Sequence, residues 1–92
     1  MANELELKKV SISEVELNAK SGLRAGSTTD IQSRYQPYKT KYRGIMYYAS
    51  TQNMEGAENK LLSNFRLPDN DQRESNSPAA PGFVYVIKGT KI

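Results

Sequence analysis

Two runs of β-branched and aromatic residues, "GIMYYAS" (44–50) and "GFVYVIKG" (82–89), flank one segment, "NMEGAENKLLSNF" (53–65), whose apolar residues recur at helical spacing. That order leaves few ways to fold. Asn53 caps the helix, and its stripe of Met54, Ala57, Leu61, Leu62 and Phe65 needs a sheet to lie on. "GIMYYAS" reads as a central strand, and "GFVYVIKG" as the last strand, fenced by "SPAAPG" before it and Gly89 after it. The expected fold is therefore α+β: a small mixed or antiparallel sheet of three to five strands carrying one main helix and one shorter helix.

The rest of the chain is less determined. "ELELKKVSI" (4–12) alternates, but Leu5 and Leu7 are out of phase with Val10 and Ile12, so a strand there requires a bulge or break near Lys8 and Lys9. "SEVELNAKSG" (13–22) fits two patterns. Ser13 with Glu16 makes a capping box and Gly22 a helix stop, whereas Val15 and Leu17 alternate as in a strand, which is the expectation adopted. Asp30 caps a short helix from Ile31 towards Tyr35, which Pro37 should stop. "LPDNDQRESNSPAAPG" (67–82) is a polar loop long enough to be functional or mobile. With 92 residues, a single domain spanning 1–92 is expected.

Composition removes several chemistries. The chain has neither cysteine nor histidine, so disulfides, thiolate nucleophiles and imidazole bases or ligands are excluded. Any acid–base step must use a carboxylate, tyrosine, lysine or metal-bound water. The charged start, "MANELELKKV", does not resemble a secretory signal, and no apolar stretch is long enough for a membrane span, so an intracellular protein, cytoplasmic or nuclear, is expected.

The net charge is +3, and its distribution matters more than its size. Between Lys20 and Tyr48 the cations Lys20, Arg24, Arg34, Lys39, Lys41 and Arg43 face Asp30 alone, interleaved with five tyrosines. Such a block suits a phosphate backbone, because cations release counterions and phenols donate to phosphate oxygens or stack on bases. It also suits an ordinary solvated face beside half-buried tyrosines. On the main helix, Glu58 falls about 40° from Met54 on a wheel of about 100° per residue, inside the stripe that faces the sheet. An inward carboxylate is costly unless paired, protonated or holding a metal. A structural ion pair with Arg34 or Lys41, a metal or active-site role, and simple exposure at the stripe's edge all remain open.

The segment "GSTTDIQSR" (26–34) joins these pieces: a turn glycine, a row of hydroxyls and a capped helix presenting Arg34, with Tyr38 one turn later. This stretch resembles the GIY-YIG nuclease superfamily, whose pattern "G-[QS]-[ST]-x-[ND]-[IL]-x-x-R" precedes an aromatic or histidine four residues on, then a strand and a helix bearing glutamate. "YRGIMYYAS" stands as that strand and "AENKLL" carries Glu58; the match covers about Leu23 to Phe65. The resemblance implies that Arg34 stabilises a pentacovalent phosphate and that Tyr38 belongs to the site. It also implies that Glu58 holds Mg²⁺ or Mn²⁺ and that Asn70 or Asn76 helps to position the site. Arg24, Ser27, Thr28, Lys39, Lys41 and Arg43 would contact nucleic acid, with DNA the expected form.

The chain departs from the pattern at two points. Arg24 stands where the family has its second tyrosine, and no tyrosine precedes Gly26 to supply the base. "GFVYVIKG" resembles the family's opening strand, which would make the fold permuted and put Tyr85 in the base position; the alternative is an ordinary buried strand. Two classes follow: a metal-dependent endonuclease, or a catalytically silent structural or interaction module descended from one.

Overall fold

The computed structural model describes residues 4–70 and 74–92. The elements run β1 (Leu5–Lys9), α1 (Ile12–Ala19), β2 (Arg24–Thr28), α2 (Ile31–Tyr38), β3 (Tyr42–Thr51), α3 (Met54–Asn64) and β4 (Gly82–Lys91). The four strands form one mixed sheet in the order β1-β3-β4-β2. β3 and β4 are antiparallel along their whole length, β2 is antiparallel to β4, and β1 is parallel to β3. The fold is thus α+β with a four-stranded sheet.

Alternation along the strands builds two apolar layers. One face brings Tyr42 and Met46 of β3 together with Tyr85 and Ile87 of β4, covered by Ile31 and Tyr38 of α2. The opposite face presents Ala49, Val84 and Val86 to Val15 and Ala19 of α1 and to Leu61 and Leu62 of α3. Asn53 caps α3 by accepting from the Gly56 N–H at 3.0 Å, as its sequence indicates.

Residues 13–22 differ from the strand expected there. They lie largely in α1, which begins at Ile12 behind an N-cap at Ser11 whose side chain accepts from the Glu14 N–H. Val15 and Ala19, four apart, are the buried pair, while Leu17 is 66% exposed, so the Val15–Leu17 alternation carries no burial. No bulge is needed in β1, because the strand ends at Lys9 and Ile12 already belongs to the helix. Nor does Pro37 stop α2, which continues to Tyr38. A proline in the last turn of an eight-residue helix forfeits one backbone bond without breaking those that precede it.

Candidate active site

β2 lies at the edge of the sheet, and the chain leaves it for α2 through Thr28, Thr29 and Asp30. Thr28 Oγ1 accepts from the Asp30 N–H at 3.1 Å, and the Asp30 carboxylate accepts from the Ser33 N–H at 3.1 Å and the Ser33 hydroxyl at 2.8 Å. These Ser33 bonds hold the Asp30 carboxyl below its ordinary range. The turn fixes the start of α2, and Arg34 and Tyr38, one turn apart, then face β4.

Tyr85 meets them from β4. Its hydroxyl accepts from Arg34 Nη1 at 3.4 Å and lies 3.0 Å from the Tyr38 hydroxyl. Arg24 on β2 closes the group, donating through Nε to the Tyr38 hydroxyl at 3.1 Å and through Nη1 to the Asp69 carbonyl at 3.0 Å. Burial raises the Tyr85 phenol, the neighbouring Tyr38 raises it further, and Arg34 draws it down; the net direction is up. Burial also works against the charge on Arg34, but the Tyr85 and Tyr38 hydroxyls outweigh it and the guanidinium is held more firmly protonated.

Glu58 approaches from the other face of β2. The residue is 4% exposed, and its Oε1 accepts from the hydroxyls of Ser27 at 2.5 Å and Ser75 at 2.8 Å. The Ser77 hydroxyl lies 2.5 Å from that of Ser27, and the Ser77 N–H donates to Ser75 Oγ at 2.9 Å. Glu58 is therefore neither exposed nor, among the described residues, in an ion pair with Arg34 or Lys41: hydroxyls satisfy its buried oxygen in place of a cation. One cavity of about 410 Å³ over the β2 edge is lined by Arg24, Ser27, Arg34, Tyr38, Glu58 and Tyr85, with Asn70, Asn76 and Ser77 on its loop side.

No family model, curated protein or solved structure matches the chain. The geometry alone therefore carries the chemistry. No group of three or more acidic residues that could hold a metal ion is found among the described residues. One carboxylate among serine hydroxyls fits a hard divalent cation that keeps most of its shell as water and substrate oxygen.

The remaining residues singled out in the sequence fall elsewhere. Thr28 is engaged in the turn before α2. Lys39 holds its ammonium 5.6 Å from the Tyr35 ring centroid, Lys41 is exposed, and Arg43 borders a separate, more open concavity beside β1; none of the three lines the cavity. Asn70 grips the free edge of β2, accepting from the Ala25 N–H at 2.7 Å and donating to the Ala25 carbonyl at 3.0 Å. Its amide thereby replaces a neighbouring strand. Ser75, Ser77 and Asp69 were not anticipated; the only signal was the length and polarity of the 67–82 segment, of which residues 71–73 lie outside the described residues.

Proposed function

We propose that the protein is a GIY-YIG-like nucleic-acid-binding domain acting as a divalent-metal-dependent DNA endonuclease, with its strand order permuted. The observation that carries this reading is the meeting of Tyr85, from the last strand, with Arg34, from the nine-residue motif, at 3.4 Å. In this reading β4 does the work of the family's opening strand, lying between β3 and the strand that enters the motif.

Arg34 is the cation that neutralises charge developing on a phosphodiester in the transition state, where a fixed donor acts without reorganisation. Tyr85 first releases its proton to solvent; its phenolate oxygen then takes one from the attacking water as the water oxygen bonds to phosphorus and the P–O bond to the leaving group breaks. Glu58 would hold Mg²⁺ or Mn²⁺, which when bound supplies counter-charge to a phosphate oxygen. The basic residues Lys39, Lys41 and Arg43 would guide the flanking backbone, and an intracellular location fits such a substrate.

The test is cleavage of plasmid DNA with Mg²⁺ or Mn²⁺, run beside Arg34→Ala and Glu58→Ala. Nicking or linearisation that disappears in both variants supports the proposal; cleavage that survives both is contamination. A second reading, a silent module binding nucleic acid or protein, draws on Glu58 Oε1 being occupied by two hydroxyls. It predicts no cleavage, and salt-insensitive binding would point to a protein partner.

A further inference from the structure

Four side chains meet in series on the α2 face of β2 and β4. Arg24 Nε donates to the Tyr38 hydroxyl at 3.1 Å, the Tyr38 and Tyr85 hydroxyls lie 3.0 Å apart, and Arg34 Nη1 donates to the Tyr85 hydroxyl at 3.4 Å. A guanidinium only donates, so each phenol oxygen accepts from one arginine. The contact between the phenols holds a single hydrogen. Two hydroxyls carry two, and one of them must leave the series.

The unequal bonds decide which. The bond from Arg24 is the shorter, and that guanidinium is anchored at its other side on the Asp69 carbonyl at 3.0 Å. With Tyr38 the better-filled acceptor, the arrangement in which its own hydrogen turns to Tyr85 is the favoured one of the two that the 3.0 Å contact allows. Tyr85, receiving from Tyr38 and at longer range from Arg34, is left to direct its hydrogen into the cavity.

We infer that Arg24 is a positioning residue: acting through Tyr38, it orients the Tyr85 hydroxyl towards the cavity and strengthens the hydrogen bond that receives the charge when Tyr85 gives up its proton. Hydrogen bonds in series polarise one another, so a cation donating to Tyr38 makes that hydroxyl a stronger donor to the Tyr85 oxygen. This gives the arginine at position 24 a task inside the protein rather than on a phosphate. The role of Tyr85 as the group that moves a proton rests on the function proposed above; the coupling of Arg24 to Tyr85 does not.

The charged and titratable groups around the two phenols, among the described residues, come from every neighbouring element. They are Arg24 on β2, Arg34 and Tyr35 on α2, Tyr42 and Tyr48 on β3, the latter directly opposite Tyr85 in the ladder, Asp69 on the segment after α3 and Glu58 on α3. The Tyr42 ring meets Tyr38 edge-on at 5.8 Å, and its hydroxyl donates to the Asp69 carboxylate at 2.6 Å. Among the described residues Arg34 is the cation hydrogen-bonded to Tyr85, so the hydrogen-bonded route from Arg24 to Tyr85 runs through Tyr38. A through-space effect of the Arg24 charge would instead survive in the Tyr38→Phe background.

The experiment replaces tyrosine by difluorotyrosine, which ionises at lower pH, and follows the fluorine resonance of position 85 through a pH titration without nucleic acid or metal. Four proteins are compared: the parent chain, Arg24→Met, Tyr38→Phe and the double variant. Arg24→Met is expected to raise the pH at which Tyr85 ionises by about one unit, roughly tenfold less phenolate at a given pH. Tyr38→Phe removes a neighbour that pushes Tyr85 up and supplies the background in which the Arg24 effect should disappear. The double variant is expected to match Tyr38→Phe alone, because Arg24 has lost its route. If Arg24→Met proves unfolded, Arg24→Lys keeps the charge but loses the Nε donor, and its smaller shift must likewise vanish in the Tyr38→Phe background. An unchanged Tyr85 titration, or an equal shift in both backgrounds, overturns the inference. Neither result depends on whether the protein cleaves DNA.

Discussion

Gly26 stands directly opposite Tyr85 in the β2–β4 ladder, and the space that a side chain would need at Gly26 is filled by the Tyr85 hydroxyl and the ring carbon bearing it. The glycine is required by contact, not by conformation: positive φ is confined to Gly44 and Gly89 among the described residues. Tyr85 is 1% exposed, so the crowding falls on a buried ring. Gly26→Ala should therefore cost about 1–3 kcal/mol, the usual penalty of overpacking, read as a lower urea midpoint. Removing the obstructing hydroxyl should relieve part of it, so Gly26→Ala with Tyr85→Phe should cost less than the two changes summed.

In its proposed role as base, Tyr85 has a phenol pushed up by burial and by Tyr38, so it is protonated in most molecules at neutral pH. Cleavage should accordingly rise about tenfold per pH unit through the neutral range, following the phenolate fraction. Tyr85→Phe should flatten that slope as well as lower the rate. A pH-independent rate in the parent protein would remove Tyr85 from the base role while leaving Arg34 and Glu58 untested by this measurement.

What the sequence made legible is local. α3, its Asn53 cap and the Asp30 cap before α2 are set by residues within four positions of one another. Glu58 could be placed inside the stripe from the wheel alone, and Arg34 and Tyr38 share a helical face by spacing. α1 was misread because the buried pair Val15 and Ala19 is short, and Leu17 imitates a strand's alternation while pointing into water. The parallel pairing of β1 with β3 leaves no local trace, since its partners lie some forty residues apart: Leu5 pairs with Gly44. Ser75 and Ser77 were invisible for a similar reason. A hydroxyl in a polar loop gains its meaning only when folding sets it against Glu58.

Asp69 ties the far wall of the cavity to β3 and β4. Tyr42 donates to its Oδ2 at 2.6 Å and Lys91 Nζ to its Oδ1 at 3.2 Å. The Tyr42 bond, followed by the Lys91 charge, holds the Asp69 carboxyl below its ordinary 3.8, although burial opposes the shift. Burial and then the Asp69 bond push Tyr42 up to about 12 from an ordinary 10.0. A depressed carboxyl stabilises the fold above its unfolded pKa and loses that contribution as pH falls through the folded value. A raised phenol stabilises below its unfolded pKa and loses the contribution as pH rises through the folded one. The stability advantage of the parent chain over Asp69→Asn should therefore be flat between about pH 5 and 9, and shrink in acid and in strong alkali. Urea denaturation at stepped pH reads it; a difference that persists unchanged into acid would mean that the carboxylate charge is not what holds the loop.

Glu58 has a structural task and, in the proposed function, a second one at a cation, and different substitutions separate them. Its Oε1 satisfies Ser27 and Ser75, and its buried body fills space beneath β2, so Glu58→Ala leaves hydroxyls without their acceptor and a void beside them. That change should cost about 2–4 kcal/mol in urea denaturation. Glu58→Gln keeps the shape and an accepting oxygen but carries no charge, and should lie within about 1 kcal/mol of the parent chain. Cation binding depends on the charge rather than the shape, because Mg²⁺ and Mn²⁺ take anionic oxygen. Both variants should therefore lose Mn²⁺ binding followed by electron paramagnetic resonance, and both should lose metal-dependent cleavage, although only the alanine variant is unstable. A glutamine variant that is stable and still cleaves at the parental rate would reduce Glu58 to a structural acceptor for its serines.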